Sequence, residues 1–408
     1  MLSTPLLVIF IILRKERMNT LKRTTNIIQR SILAAIILFL SFPGPNYTAA
    51  APNADATGDI ATQRIVPEKT SAGLSQVKLE ESNLPQSQPT NSALVVEAEP
   101  YLVIDINPTG SSLPRYLTEL NGKLFFFADD GSNGFELWRS DGTEAGTEMV
   151  ANINDGSHNP GELTEVNSVL FFRADDSVHG EELWKSDGTE AGTVLVKDIR
   201  SGGGSYPDHL VNVNGTLFFT AYDSVSGIEL WKSDGTEIGT VLVKDINPSG
   251  NSSPSSLTDV NGTLFFTAND STHGVELWKS DGTEAGTLLV KDIRAGTGGS
   301  LPFDLINFNG MLFFVAFEMD NGDALWKSDG TENGTVMVKD TYEGGVTYGG
   351  PHPAQLTNVN GTLFFRGDDG SPHGRELWSS DGTTNGTAMV KDIYLGGGDS
   401  FPAELTDV

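Results

Sequence analysis

The carboxylates of a recurring Asp-Gly-Thr sequence are the side chains of this chain most able to do chemistry. Several carboxylate oxygens held together bind hard cations such as Ca²⁺. The spacing, however, lacks the alternating Asp/Asn pattern and the closing Glu of a helix-loop-helix calcium loop. Asp before Gly also favours an Asx turn, in which the carboxylate accepts the backbone N–H two residues later. We expect that structural role for all six: Asp141, Asp187, Asp234, Asp281, Asp329 and Asp381.

A second acid-rich segment precedes this motif and is the candidate calcium site of the chain. It reads ADDSVHG at 174–180, ANDSTHG at 268–274 and GDDGSPHG at 367–374. The cation candidates are Asp175, Asp176, Asp270, Asp368 and Asp369. If the segment only connects two strands, it needs no ion, so no cofactor is required. Calcium is the one cofactor that we consider possible.

Three of the six histidines occupy one repeat position, directly before a glycine. They are His179, His273 and His373, and the other copies carry Asn133, Ser226 and Asn321 there. Metal ligation would not tolerate that exchange, whereas a left-handed turn position accepts all three residue types. We therefore interpret these histidines as turn residues.

The tryptophans allow two interpretations. Exposed indole faces could stack on sugar rings, but one Trp per repeat at a fixed strand position is typical of a core between sheets. We expect the core role for Trp138, Trp184, Trp231, Trp278, Trp326 and Trp378.

The sequence contains no asymmetric constellation of nucleophile, base and orienting group, so no catalytic residue is assigned. The chain has no cysteine, which excludes disulfides and thiolate chemistry. It also lacks a phosphate-binding loop and an HExxH sequence. A non-catalytic role is favoured; the alternative is a secreted carbohydrate-active enzyme with paired carboxylates at one mouth of the fold.

These residues recur with a period that indicates the fold. Successive tryptophans are 46, 47, 47, 48 and 52 residues apart, a period typical of propellers and solenoids. The unit at 207–246 contains four strand-like runs, and Asn214-Gly215 between the first two is a strong hairpin signal. Near-continuous apolar runs indicate strands buried on both faces. The pattern predicts an all-β propeller of four-stranded blades, and a parallel β-helix is the runner-up.

The repeat resembles the bacterial ELWxxDGT-repeat family, whose members are often labelled hyalin-like. ELWKSDGTEAGT stands at 182–193 and again at 276–287, and VKDI follows the motif in several copies. The resemblance covers residues 101–408 through six copies and implies a secreted or surface-associated bacterial protein. Repeat five departs from it, with DALW at 323–326 and a longer loop at 341–355.

The ends of the repeat region predict a partial seventh blade beside six full ones. YLVIDI at 101–106 reads as a lone last strand, and AELTDV at 403–408 as a first strand. The two orphan strands could close a thin blade, or the sequence could be part of a longer chain; we favour the latter. We assign residues 99–408 to the propeller.

The N-terminal region predicts export. Residues 1–50 have the basic, apolar and small-residue order of a signal peptide, with the true start at Met18. Residues 51–98 contain no aromatic residue and predict a disordered linker. After cleavage no membrane span is expected.

The net charge of the chain limits the classes of molecule that it can bind. A formal net charge of −28 excludes nucleic acid as a partner, since phosphate binding needs the opposite sign. We expect a secreted or cell-surface binding or adhesion scaffold for extracellular protein or polysaccharide, with loop 341–355 as the first candidate contact. A structural surface-layer component is the other alternative.

Overall fold

A computed structural model describes residues 100–154, 160–342, 353–370 and 373–406. The predicted signal peptide and linker lie outside this range. Every regular element in it is a β-strand. No helix in the described part of the chain is long and apolar enough to cross a membrane.

The strands form six four-stranded antiparallel sheets, one for each repeat, in which neighbours in sequence are neighbours in the sheet. Sheet 1 has β1 (Arg115–Leu120), β2 (Lys123–Asp129), β3 (Phe135–Ser140) and β4 (Glu148–Ala151). Sheet 2 has β5 (Gly161–Val166), β6 (Val169–Asp175), β7 (Glu181–Ser186) and β8 (Val194–Lys197). Sheet 3 has β9 (Asp208–Val213), β10 (Thr216–Asp223), β11 (Gly227–Ser233) and β12 (Val241–Lys244). Sheet 4 has β13 (Ser255–Val260), β14 (Thr263–Asn269), β15 (Val275–Ser280) and β16 (Leu288–Lys291). Sheet 5 has β17 (Phe303–Phe308), β18 (Met311–Glu318), β19 (Gly322–Ser328) and β20 (Val336–Lys339). Sheet 6 has β21 (Ala354–Val359), β22 (Thr362–Asp368), β23 (Arg375–Ser380) and β24 (Ala388–Lys391).

The turn residues set the pairing of the first two strands of each sheet. In sheet 3, Asn214 and Gly215 have φ of 50° and 80°, the two positive values that a tight hairpin turn requires. This turn places Thr216 opposite Val213 and brings β9 and β10 together as an antiparallel pair. The Asn-Gly hairpin predicted from the sequence is confirmed.

Sheets 2 to 5 each pack against a neighbouring sheet on both faces, and the two faces have different residues. In sheet 3, Leu217, Phe219 and Trp231 pack on sheet 2, and we call this side the rear face. Phe218 and Leu230 point the other way and pack on sheet 4, and we call that side the forward face. Alternate residues of a strand point to opposite faces, so the run Leu-Phe-Phe supplies both cores. The prediction that the strands are buried on both sides is confirmed.

Successive sheets contact one another through their first strands, in the order β1, β5, β9, β13, β17 and β21. Threonine hydroxyls reinforce this inner line: Thr118 Oγ1 donates to the Leu163 carbonyl (2.9 Å) and Thr164 Oγ1 to the Leu210 carbonyl (3.3 Å). The first strand is therefore the innermost strand of each sheet. Sheets that meet at their innermost strands form a β-propeller-like array of six blades.

A seventh sheet is not seen among the described residues. Neither 101–106 nor 403–406 is a strand in the structure, because neither has neighbouring strands to complete a ladder. Residues 403–406 nevertheless lie where the innermost strand of a next sheet would stand. Thr357 Oγ1 donates to the Leu405 carbonyl at 3.3 Å, which repeats the contact between earlier sheets.

The array has two ends with different connections. One end carries the Asn-Gly hairpins and the Asp-Gly-Thr turns, and we call it the turn end. The opposite end carries the β2–β3 type connections and the connections from each sheet to the next, and we call it the loop end. Because each innermost strand follows an inter-sheet connection, its first residues lie at the loop end.

Candidate functional site

The Asp-Gly-Thr turn satisfies its own polar groups. In repeat 2, Asp187 Oδ1 accepts hydrogen bonds from the Thr189 amide (2.9 Å) and hydroxyl (2.6 Å). Thr189 Oγ1 in turn accepts from the Gly192 amide (3.0 Å), and Ser186 Oγ lies 2.8 Å from Thr193 Oγ1. The bond from the threonine hydroxyl holds the pKa of this carboxyl below its ordinary value of 3.8. This is the Asx-turn geometry, extended by hydroxyl groups.

All six repeats have this turn. The carboxylate-to-threonine amide distance is 2.8–2.9 Å at each position, and the threonine hydroxyl bond lowers the pKa of each carboxyl: Asp141, Asp187, Asp234, Asp281, Asp329 and Asp381. Their repetition therefore has a structural explanation.

Two glycines of the motif are required by close approach. A Cβ on Gly192 would stand 2.0 Å from Asp187 Oδ1, so a larger residue would displace the carboxylate from its hydrogen bonds in the turn. Gly282 has φ of 86°, and a Cβ there would meet Phe218 Cζ of the preceding sheet at 3.0 Å. The turn thus packs on its neighbour as well as on itself.

A basic residue follows five of the six tryptophans, and in several repeats it joins neighbouring sheets. Lys185 Nζ donates to the Gly235 carbonyl of the next turn at 2.8 Å, and Lys327 Nζ donates to the Gly382 carbonyl at 2.8 Å. The residues of the repeated motif therefore hold the array together at its turn end.

The glutamate before Leu-Trp fastens the inter-sheet connection at the loop end. Glu276 is fully buried and accepts hydrogen bonds from the amides of Ile293 (3.3 Å), Arg294 (3.1 Å) and Ser300 (2.8 Å), and from the Ser300 hydroxyl. Burial outweighs these bonds and raises its pKa. Glu182 and Glu229 have the same arrangement and the same raised pKa.

Sheet 5 lacks this glutamate, and the connection that the glutamate would hold also differs from that of the other sheets. Ala324 stands at the position, fully buried. The connection that follows is the longer 341–355 segment noted in the sequence. Most of that segment, 343–352, lies outside the described residues, so its role as a contact stays a prediction.

The calcium candidates have partners within the protein. Asp176 Oδ1 accepts from the amides of Val178 (2.9 Å) and His179 (2.8 Å), and its Oδ2 lies 2.7 Å from His179 Nδ1. Burial acts to raise the pKa of Asp176, but these hydrogen bonds outweigh it and lower the pKa. Asp175 accepts from the Ser177 amide.

The same pairing occurs in two other repeats. Asp270 Oδ2 lies 2.7 Å from His273 Nδ1, and Asp369 Oδ2 lies 2.6 Å from His373 Nδ1. Asp368 accepts from the Gly370 amide at 2.6 Å. No group of three or more His, Asp or Glu side chains that could hold a metal is found across the described ranges.

The prediction that the histidine position has a left-handed backbone conformation is wrong. His179 and His273 do not have positive φ; the following Gly180 and Gly274 do, at 78° and 74°. In repeats 2 and 4 the position instead supplies a side-chain donor to the acid three residues earlier. Asn133 in repeat 1 fills the same role, since its Nδ2 donates to Asp130 Oδ2 at 2.8 Å.

Five of the six tryptophans lie between two sheets, and Trp138 lies on the rear face of sheet 1 against Ile106. Trp231 is 6% exposed and packs against Phe171 and Leu183 of the preceding sheet. Five of the six are buried, and Trp184 is partly buried against the same kind of core: Trp138, Trp184, Trp231, Trp278, Trp326 and Trp378. Their ring faces are therefore not open to a ligand.

A different set of residues varies from repeat to repeat and faces the loop end. Each innermost strand contains a β-bulge near its start, seen as a shift in register between its first and fourth residues. The bulged residue has positive φ although it is not glycine, and its type differs in every sheet. These residues are Tyr116, Glu162, His209, Ser256, Asp304 and Gln355, with φ from 51° to 62°.

A second left-handed position lies three residues earlier, directly before a proline. Its residues are Leu113, Tyr206, Ser253 and Leu301, with φ from 42° to 52°. Leu113, Tyr206 and Leu301 are 56%, 53% and 39% exposed. We call the bulged residues and these pre-proline residues together the inner rim. Each strained residue costs of order 1 kcal/mol or more, and such strain clusters at functional sites.

Hydrogen bonds link some inner-rim residues across neighbouring sheets. Glu162 Oε2 accepts from the Leu210 amide (3.3 Å), and Asp304 Oδ2 accepts from the Gln355 amide (2.5 Å). Burial and the neighbouring Asp208 raise the pKa of Glu162. His209 and Asp304 are exposed. The inner rim therefore presents carboxylate, imidazole and amide groups beside exposed apolar side chains.

The inner rim was not predicted from the sequence. Its residues follow the inter-sheet connections, where no motif is visible. The signal was a repeat position whose residue type varies. When the repeats are aligned on their tryptophans, the residue 22 positions before Trp is Tyr, Glu, His, Ser and Asp in the first five copies. In the last copy the equivalent residue is Gln, 23 positions before Trp. Variation at one fixed place inside an otherwise uniform repeat is the feature that could have revealed it.

Comparison with known proteins finds solved structures at low sequence identity and low TM-score. No protein-family model matches the chain, and no curated protein matches it. Among solved structures, the computationally designed Ika8 protein has 13% identity and a TM-score of 0.41, with 68% of this chain and 74% of that chain covered.

Two peptidase structures match this chain with similar identities and TM-scores. Prolyl oligopeptidase B from Galerina marginata has 11% identity and a TM-score of 0.45, with 70% of this chain and 44% of that chain covered. A structure from a study of two prolyl endopeptidases has 11% identity and a TM-score of 0.43, with 69% and 42% covered. The chain spans less than half the length of these peptidases, and the likeness carries no conclusion about activity.

Proposed function

We propose that this protein is a secreted or cell-surface binding scaffold that contacts an extracellular polysaccharide through the inner rim. The observation that carries the proposal is the contrast between repeated and variable residues. The repeated polar residues are bonded inside their own turns and connections, whereas the bulged inner-rim residue is of a different type in every sheet and is held at positive φ.

The chemistry of the inner rim suits a sugar chain. A sugar ring offers an apolar C–H face and hydroxyl groups that both donate and accept hydrogen bonds. Exposed Leu113, Tyr206 and Leu301 could cover the apolar faces, and His209 and Asp304 could bind the hydroxyls. A protein ligand is the other outcome that the test distinguishes.

Export and family membership are part of the same proposal. The basic, apolar and small-residue order of residues 1–50 supports secretion, and the linker at 51–98 would tether the array. The ELWxxDGT motif supports membership of that repeat family, and the position of 403–406 beside β21 supports a partial seventh blade.

The test compares exposed apolar side chains at the two ends of the array. Tyr206→Ala and Leu301→Ala remove inner-rim contacts, and Ile238→Ala removes a side chain that is 92% exposed at the turn end. Binding to a panel of extracellular polysaccharides and extracellular proteins is measured by calorimetry. We expect the inner-rim variants to bind at least about tenfold more weakly, roughly 1.4 kcal/mol, and Ile238→Ala to bind like the parent. Equal weakening by all three variants, or none by the inner-rim pair, would refute the proposal; binding only to proteins would assign the inner rim to a protein ligand.

A further inference from the structure

A cavity of about 190 Å³ lies between sheets 4 and 5 at the turn end of the array. Val260 and Phe265 supply the apolar part of its lining, and both belong to the core that these two sheets share. The hairpin turns of the two sheets, at Asn261 and Gly310, also line it. Pockets for drug-sized ligands have volumes of roughly 300–1,000 Å³, so this cavity suits a smaller molecule.

The cavity lies where a bond that joins other neighbouring sheets is not made. At three other interfaces the basic residue after Trp donates to a glycine carbonyl of the next Asp-Gly-Thr turn, at 2.7–2.8 Å: Arg139 to Gly188, Lys185 to Gly235 and Lys327 to Gly382. The equivalent pair in sheets 4 and 5 is Lys279 and Gly330, and both line the cavity. Lys279 has no hydrogen bond or ion pair within the described ranges. Its ammonium group is therefore a donor available to a ligand.

Two further polar side chains line the same cavity. Asp329 accepts from the Thr331 amide and hydroxyl through Oδ1, which leaves Oδ2 available to a ligand. The bonds from Thr331 and, to a smaller extent, the charge of Lys279 lower the pKa of Asp329, so it is ionised at neutral pH. Thr263 adds a hydroxyl group that has no hydrogen bond in the described part of the chain.

Lys279 and Asp329 thus place opposite charges in one cavity without forming an ion pair with each other. A ligand with a single charge would be attracted by one of them and repelled by the other. A ligand that carries both charges can compensate both, and hydrogen bonds between charged groups are stronger than those between neutral groups.

We propose that this cavity binds a small zwitterion of the α-amino acid class. The carboxylate of the ligand accepts hydrogen bonds from the Lys279 ammonium and the Thr263 hydroxyl, and its ammonium group donates to Asp329. A short apolar side chain lies against Phe265. The cavity is at the opposite end of the array from the inner rim, so this proposal does not rest on polysaccharide binding.

Calorimetry of the intact chain with three small probes tests the proposal. The first probe is L-alanine, the second is propionate, which lacks the ammonium group, and the third is ethylamine, which lacks the carboxylate. Lys279→Met removes the ammonium group and keeps an unbranched side chain, and Asp329→Asn keeps the oxygen that accepts from Thr331. Lys123→Met is the matched control, because Lys123 is an exposed basic residue at the turn end of sheet 1. A thermal melt of each variant checks that it is folded.

We expect the parent and Lys123→Met to bind L-alanine with a Kd of about 1 mM or lower. Propionate and ethylamine should bind at least about tenfold more weakly to the parent, and L-alanine should bind at least about tenfold more weakly to Lys279→Met and Asp329→Asn. A parent that does not bind L-alanine would overturn the proposal. Propionate binding as tightly as L-alanine would also overturn it, since the cavity would then accept a simple anion. Unchanged binding of L-alanine by folded Lys279→Met would show that the ligand lies elsewhere.

Discussion

At the scale of single residues, the repeated motif is explained by packing and hydrogen bonds within the turn. Sequence alone predicted the Asx turn, because Asp-Gly is a local signal and its partner is two residues away. It could not predict that Gly282 faces the Phe218 ring, because that contact joins different repeats and depends on how the sheets stack. The prediction of a left-handed histidine position was wrong for a related reason. The side-chain hydrogen bond between His179 and Asp176 cannot be recognised from the pattern of residue types.

The contact between glycine and the phenyl ring leads to a prediction. Gly282 and Gly202 both have positive φ, at 86° and 87°, but a Cβ on Gly202 meets nothing within 4 Å. Alanine at either position costs about 1 kcal/mol for the backbone conformation. Gly282→Ala must also displace the Phe218 ring, which adds roughly 1–3 kcal/mol. Urea unfolding of both variants measures the difference, and equal losses of stability would show that the ring contact is not limiting.

At the scale of strands and connections, buried glutamates and paired histidines make the stability depend on pH. The folded-state pKa of Glu182, Glu229 and Glu276 is raised by burial, and that of His179, His273 and His373 is raised by the hydrogen bond to aspartate. In both classes the folded protein keeps a proton that the unfolded chain has released. The free energy of unfolding therefore falls as pH rises through that range.

We accordingly expect stability to increase as pH is lowered from 8 toward 5. The histidine contribution is complete below the ordinary pKa of 6.5 and is lost as pH rises through the folded value. The glutamate contribution increases down to the ordinary pKa of 4.5. Below that, the Asp-Gly-Thr carboxyls, whose pKa is lowered, lose their contribution as they are protonated. Denaturant unfolding at a series of pH values measures the profile.

Two variants separate these contributions. His273→Asn installs the residue that repeat 1 carries at this position and should flatten the profile above pH 6.5 only. Glu229→Gln keeps the shape of the side chain and should flatten the profile between the folded pKa and 4.5. Profiles unchanged by both substitutions would contradict this assignment.

At the scale of the whole molecule, the six-sheet array follows from the sequence and the inner rim does not. The repeat period, the hairpin turns and the strands that are apolar on both faces are signals repeated six times in the sequence. Each copy supports the prediction of a propeller of four-stranded blades. The inner rim depends on bulges at the start of each innermost strand, which gather His209, Asp304 and the other variable residues from different sheets. Only the stacking of sheets brings these residues to one end.

The measurement that most directly tests the central claim is hydrogen exchange of the intact protein with and without a bound polysaccharide. If the inner rim is the contact surface, exchange should slow in segments 113–117, 206–210 and 301–305. The Asp-Gly-Thr turns at 234–240 and 281–287, at the opposite end, should exchange as in the free protein. Slowing confined to the turns, with the inner-rim segments unchanged, would contradict the account and move the binding surface to the repeated motif itself.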